Sequence, residues 1–255
     1  MYQGIYKIAD QIIEIRSLYQ YVHKLCRNYI YDGTPYFTVV SSPEDIIFER
    51  DKSARENILE GLPVHQFPED YLETLSVYRK IADNMLSRDT LLFHGSVIAV
   101  DGEAFLFTAT SGTGKSTHTR LWREQLGSRA FMVNDDKPLI RILPGEVTVF
   151  GTPWDGKHHL STNTSVPLKA ICVLKRGSEN TIREITPREV LPMLMQQSHR
   201  PSVPGNMPLY LDLMDHLSKG VRFYELHCNM DPEAARVSYE GMSGKPFPCK
   251  EARDI

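Results

Sequence analysis

The residues best equipped for chemistry lie in one run, Ala109-Thr110-Ser111-Gly112-Thr113-Gly114-Lys115-Ser116. Two glycines in such a run let the backbone curl around an anion, so that successive N–H groups point at it. A helix starting at the end of the run would add the positive potential of its N-terminus. Lys115 would then neutralise β- and γ-phosphate oxygens of a nucleoside triphosphate, and the Ser116 hydroxyl would ligate Mg²⁺. The spacing is that of G-x-x-x-x-G-K-[ST], except that Ala109 stands at the first position. Thr110, Ser111, Gly112, Thr113, Gly114, Lys115, Ser116 and Thr117 are the expected cradle for ATP and Mg²⁺.

Transfer of a phosphoryl group to a hydroxyl also needs acids, one to hold the metal and one to accept a proton. Asp135-Asp136 ends the short apolar run Ala130-Phe131-Met132-Val133. Adjacent residues on an extended segment point in different directions, so one of the pair is expected to support the metal and the other to act as base; Asp135 is assigned with Ser116 to the metal and Asp136 to the base. An exposed acidic turn before Pro138 is the alternative. His94 falls in the apolar run before the loop. A two-residue turn at Asp101-Gly102 would place it opposite Ala109, where a near-neutral pKa suits contact with a phosphate or an acceptor hydroxyl. A structural histidine is the competing reading. Asp155, Lys157 and Arg200 are candidates for a substrate rim on loops. The neighbouring His158-His159 makes no convincing metal pair, because adjacent side chains diverge.

These residues need elements to hold them. Leu91–Val100 reads as one strand, Asp101-Gly102 as a hairpin turn, and Glu103–Thr108 as the return strand into the loop. Helical character runs from Lys115 to Leu126 and stops at Gly127. Strands are expected at 130–133, ending beside the loop strand's sheet, at 147–150, 168–174 and 222–226, and helices at 188–197, 208–218 and 232–242. Upstream, 5–16 reads as strand with a turn near Asp10, 18–30 as helix, 36–40 and 46–48 as a strand pair, and 70–86 as an amphipathic helix. The expected fold is α/β with a mixed sheet, an antiparallel hairpin feeding the P-loop and a helical C-terminal part. Residues 1–88 would form an N-terminal α+β subdomain and 89–255 the core with its C-terminal helices.

The chain has 255 residues, 41% hydrophobic and 24% charged, with 29 Lys plus Arg against 32 Asp plus Glu. That balance gives no reason to expect nucleic acid, which is bound through surplus cations. Cys26, Cys172, Cys228 and Cys249 form no CxxC pair and read as reduced thiols of a cytosolic protein. Asp10, Glu14 and Arg16 interrupt any signal-like apolar run, and no stretch is long enough to span a membrane. A cytoplasmic location is expected, with no membrane partner; a homo-oligomer is left open.

His94-Gly95-Ser96, then T-S-G-T-G-K-S, then Asp135-Asp136 resembles the HPr kinase/phosphorylase and ATP-dependent phosphoenolpyruvate carboxykinase superfamily. The resemblance covers residues 91–141 and extends more weakly through G-T-P-W-D-G-K to about residue 175. It implies a phosphoenolpyruvate carboxykinase-like nucleotide-binding fold and ATP-dependent transfer to a seryl or similar hydroxyl of a protein, peptide or small molecule. It also implies catalytic roles for His94, Lys115, Asp135 and Asp136. The signature that accompanies phosphorylase activity is not found after the aspartate pair. A nucleotide-binding regulator without turnover, or a small-molecule phosphotransferase or ATPase, remains as the alternative.

Overall fold

Ala9 and Asp10 both take positive φ, 47° and 59°, and so close a tight hairpin between β1 (Tyr2–Ile8) and β2 (Gln11–Ser17). The computed structural model describes residues 1–59, 61 and 63–248. The chain divides into two compact units, Met1–Met85 and Leu86–Ile255.

In the first unit α1 (Tyr21–Leu25) passes directly into a 3₁₀ turn, Cys26–Tyr29, so the helix expected over 18–30 is shorter. β3 (Phe37–Val40) pairs in parallel with β2, giving the sheet order β1-β2-β3. The strand expected at Ile46-Ile47-Phe48 is instead part of α2 (Pro43–Leu59). Pro43 suits the first position of a helix, and Asp45 accepts a 2.9 Å hydrogen bond from the Ser42 N–H. Those local signals outweigh three apolar residues in a row. α3 (Glu69–Met85) buries Leu72, Tyr78, Ile81 and Met85, as its periodicity predicts, while Leu75 on the same side is half-buried and Val77 is buried as well. Its fully buried Glu73 accepts from the N–H groups of Leu18 and Tyr19, at 2.6 and 2.9 Å, and from the Ser41 hydroxyl.

The second unit opens with β4 (Thr90–Leu92), β5 (Ser96–Val100) and β6 (Glu103–Thr108). Asp101 and Gly102, at φ 52° and 82°, form the expected turn, and the register runs from Val100↔Glu103 to Ser96↔Phe107. α4 (Lys115–Leu126) follows, capped by Gly127 at φ 58°, then β7 (Ala130–Asn134), β8 (Leu139–Leu143) and β9 (Glu146–Phe150). β10 (Ser165–Arg176), β11 (Thr181–Ile185), α5 (Pro187–Gln197), α6 (Met207–Gly220), β12 (Arg222–Cys228) and α7 (Glu233–Ser243) complete it.

Among the described residues these strands form one nine-stranded mixed sheet, in the order β4-β8-β9-β10-β6-β5-β7, with β12 beside β10 and β11 beside β12. The strand that carries the aspartates is therefore separated from the loop strand by β5, not placed directly beside it.

Side chains alternate across the sheet with period 2. Val97, Leu106, Ile171 and Val173 join α5 and α6 in one core, through Leu194, Tyr210, Leu213 and Leu217. Ile98, Phe105, Phe107, Cys172 and Leu174 join α4 and α7 in the other, through Trp122, Tyr239 and Met242. Strands buried on both faces read as continuous apolar runs, which is why β5, β6 and β10 stood out in the sequence.

α4 is fastened to α7 by a buried polar cluster. The Ser238 hydroxyl donates to the Ala234 carbonyl at 2.9 Å and accepts the Trp122 indole N–H at 2.8 Å. With that proton committed, the His118 Nε2–H must be the donor across its 2.9 Å contact to Ser238. Burial pushes the His118 pKa down from 6.5 to about 3. Cys26 and Cys172 are buried free thiols and Cys228 is a partly buried one; Cys249 lies outside the described residues. No described helix is long and apolar enough to cross a membrane.

A histidine held neutral when folded binds its proton more readily when unfolded. It therefore withdraws stability as pH falls from 6.5 towards 3. His118→Gln keeps an N–H donor without titrating. Chemical denaturation at a series of pH values should show a shallower loss of stability below pH 6.5 in this variant than in wild type. Identical slopes would contradict the assignment.

Candidate functional site

The run Ala109–Gly114 connects β6 to α4, the strand-loop-helix order that a phosphate cradle requires. Ala109 is fully buried within the α4/α7 core, so its methyl group packs where a glycine would leave a gap. Gly112 and Gly114 take φ of 74° and 119°, conformations that side chains rarely tolerate. Thr113 braces the loop, its hydroxyl donating to the Thr110 carbonyl at 2.9 Å. Arg176 donates to the Gly112 carbonyl at 2.7 Å. Lys115 reaches back to the Ala109 carbonyl at 3.5 Å; burial lowers its pKa while Asp136 pulls it back up. Ser111 and Ser116 are exposed, and the first N–H groups of α4 have no acceptor within the helix. A cavity of about 460 Å³ adjoins the loop, lined by Gly112, Gly114, Thr117, Leu121, Leu174 and Met230 among others. Neither aspartate of the pair nor His94 lines it.

His94 does not sit in a strand opposite Ala109. The expected strand 91–100 breaks at Phe93–Gly95, because β4 pairs with β8 whereas β5 pairs with β6 and β7. A Cβ on Gly95 would lie 2.9 Å from Leu106 Cδ2 and 3.1 Å from the Phe107 carbonyl, so a side chain there would force Leu106 and the β6 backbone to give way. The break is stitched to the turn after β7. Phe93 N–H donates to Pro138 O at 3.1 Å, Gly95 N–H to Asp136 O at 3.0 Å, and the Ser96 hydroxyl to Asp135 O at 2.9 Å. These bonds place His94 Nε2 3.2 Å from Asp136 Oδ1. Burial would raise the Asp136 pKa, but the hydrogen bond from His94 and the charge of Lys137, 3.4 Å away, more than offset it and hold the acid at about 2.

Asp135 is buried, and its Oδ1 accepts the Gly156 N–H at 2.7 Å. Asp155 contacts His159 at 3.0 Å; burial raises its pKa, with a further push from Asp135. Asp135, Asp136, His94, Lys115 and Asp155 thus form one neighbourhood. Lys157, His158 and Arg200 are exposed, and among the described residues no hydrogen bond or ion pair joins them to that group. Arg200 does follow a segment tied to the break, since His94 N–H donates to Gln197 O at 2.7 Å and His199 N–H to Leu92 O at 2.9 Å. No group of three or more His, Cys, Asp or Glu side chains among the described residues is arranged to hold a metal alone. Mg²⁺ needs none, since one or two carboxylates plus substrate phosphates suffice.

Sequence reasoning missed Asn134, Thr152, Arg176 and His118. An Asn two residues before an Asp, ahead of Pro138, is a turn signal that could have marked the first. Nothing in the sequence marked Arg176.

A mixed α/β sheet whose glycine-bearing loop leads into a helix, with a histidine-paired aspartate beside it, is what fold and site define. The chain belongs to the ScmC family, described as SynChlorMet cassette protein ScmC, whose model matches residues 67–207. No curated protein matches it. Among solved structures, the Hpr(Ser) kinase/phosphatase from Coxiella burnetii is similar at 12% identity, covering 49% of this chain and 93% of that one. The TM-score is 0.28, too low for the likeness to decide anything about this chain.

An acid whose folded pKa is depressed contributes stability above its unfolded value and loses it as pH falls through the folded one. For Asp136 the window runs from 3.8 down to about 2. Urea unfolding from pH 5 to 2 should show a flatter acid limb for Asp136→Asn than for wild type. An unchanged limb would mean that the His94 and Lys137 contacts do not favour the carboxylate.

Proposed function

We propose that this chain is an ATP- and Mg²⁺-dependent kinase that transfers the γ-phosphoryl group to a hydroxyl of a protein, peptide or small molecule. The observation that carries this reading is the Asp136 carboxylate, held ionised by His94 and Lys137 and electrostatically coupled to Lys115 at the end of a glycine-bearing loop. A solvated acidic turn would not be stitched by three hydrogen bonds to the segment that carries its histidine partner. The resemblance of these motifs to the HPr kinase and phosphoenolpyruvate carboxykinase superfamily supports the same chemistry and a related nucleotide-binding fold.

In this reading the loop N–H groups and Lys115 bind the phosphates of ATP, and the adjoining cavity receives the nucleoside. Ser116 and Asp135 supply the hard oxygen donors that suit Mg²⁺, which when bound neutralises charge on the β- and γ-phosphates. The acceptor oxygen forms a bond to the γ-phosphorus as the bond to the β,γ-bridging oxygen breaks, releasing ADP. The acceptor proton passes to Asp136. A carboxylate with a pKa of about 2 is a weak base, so it serves by taking the proton late, once bonding to phosphorus has drawn electrons from the acceptor oxygen and made its proton strongly acidic. His94 orients that carboxylate. Asp155, Lys157 and Arg200 are proposed as the acceptor-side rim.

Incubation with γ-labelled ATP, Mg²⁺ and a pool of candidate acceptors, followed by mass spectrometry, tests this directly. Label should appear on a hydroxyl, and Asp136→Asn should slow its transfer by roughly 10²–10⁴-fold. Transfer at the wild-type rate by Asp136→Asn would remove the base. ATP binding with no labelled acceptor would favour a regulator without turnover.

A further inference from the structure

The aspartates owe their placement to a residue that touches neither of their carboxylates. Asn134, the last residue of β7, is fully buried. Its Oδ1 accepts two hydrogen bonds, from Asp136 N–H at 2.9 Å and Lys137 N–H at 2.7 Å. Its Nδ2 faces Thr152 Oγ1 at 3.1 Å, Trp154 O at 3.2 Å, Thr152 O at 3.3 Å and Ser161 Oγ at 3.4 Å. The partners fix the amide's orientation, since N–H donors surround one end and carbonyl acceptors the other. Thr152 closes the loop of contacts by donating to the Lys137 carbonyl at 2.8 Å.

Two chain segments therefore meet on one side chain. The turn 134–137 carries both aspartates, and the loop 152–161 carries Gly156, whose N–H holds Asp135, and Asp155. An Asn sealed from water with both ends occupied is costly to disturb, because its Thr152 and Trp154 partners are buried too. Gly156 supports the other side of the arrangement. A Cβ there would come 2.9 Å from Asp135 Oδ2 and 3.2 Å from its Cγ, so any larger residue would push that carboxylate aside.

We infer that Asn134 is a positioning residue for the proposed phosphoryl transfer, locking the Asp135-Asp136 turn to the 152–161 loop so that the two carboxylates keep a fixed placement, with Asp136 within electrostatic reach of Lys115. The inference rests on the kinase reading for its consequence, but the clamp itself is measurable without nucleotide. Asn134→Asp preserves the shape and places an acceptor oxygen against the carbonyls of Thr152 and Trp154. Asn134→Ala removes both sets of bonds. Gly156→Ala leaves Asn134 intact and displaces Asp135 from the other side.

The experiment takes the full chain through two measurements. Hydrogen exchange without nucleotide reads the clamp: the amides of Asp136 and Lys137 should exchange roughly tenfold faster in Asn134→Ala, which removes their acceptor. Equilibrium dialysis and ADP release then read its consequence. The variants, Gly156→Ala included, should bind Mg·ATP with wild-type stoichiometry while turnover falls about 10²-fold, the scale expected when reacting groups move by about 1 Å. A loss of folding alone would lower stoichiometry and turnover together. Unchanged exchange at Asp136 and Lys137, or full turnover by variants that bind normally, would overturn the inference. If Asn134→Ala does not fold, Gly156→Ala carries the same turnover prediction, and its full activity would count against the positioning. Failure of wild type to bind Mg·ATP would instead sink the kinase reading, with the exchange result standing on its own.

Discussion

Between Leu92 and Ser96 the chain leaves one strand partnership for another, and it lies so close to β6 there that a Cβ at Gly95 would crowd Leu106 and the Phe107 carbonyl. That close approach lets Phe93, Gly95 and Ser96 bond to the turn after β7, three donors to three carbonyls or backbone oxygens of Asp135–Pro138. The aspartates and His94 are then neighbours through backbone geometry, not through flexible side chains that must be ordered separately. Backbone stitches of this kind lose little entropy once the sheet has formed. Catalytic groups gain from that rigidity because productive geometry tolerates only small displacements.

The sheet explains how a loop and a turn separated by a strand come to lie at one edge. β6 and β7 run in the same direction with β5 antiparallel between them, so the end of each strand emerges on the same edge. The loop leaves β6 there, and the aspartates leave β7 there. Two cores, one beneath α5 and α6 and the other beneath α4 and α7, keep that edge from shifting. His118 and Trp122, both anchored on Ser238, make the helix behind the loop part of the second core. The ScmC family match runs from residue 67 to 207, and so takes in the loop, the break, the aspartates and the rim residues together.

Much of this was legible in the sequence where local chemistry decides the outcome. The Asp101-Gly102 turn, the register it sets, the start and cap of α4, and the three C-terminal helices all follow from turn residues and periodicity. The break at Phe93–Gly95 was not legible, because an apolar run through Leu92 and Phe93 looks the same whether the strand keeps its partner or changes it. Ile46–Phe48 misled for a similar reason, since three apolar residues carry no period and Pro43 with its acidic followers decided for helix. β8 and β11 were also unread. Asn134 could not be assigned its role from sequence: its four Nδ2 partners lie 18 to 27 positions away, and only the fold brings them to it. Of the candidate residues, the structure gathers Asp135, Asp136, His94, Lys115 and Asp155, while Lys157 and Arg200 stand apart on exposed positions.

The central claim is that the loop beside this stitched turn takes the phosphates of a nucleotide. Isothermal titration of the folded protein with ATP in Mg²⁺ measures it most directly, with Lys115→Ala titrated in parallel. Saturable binding at one site per chain, lost when Lys115 is neutralised, is the result the proposal predicts. A well-folded wild type that releases no heat of binding, or a Lys115→Ala variant that binds as wild type does, would contradict it.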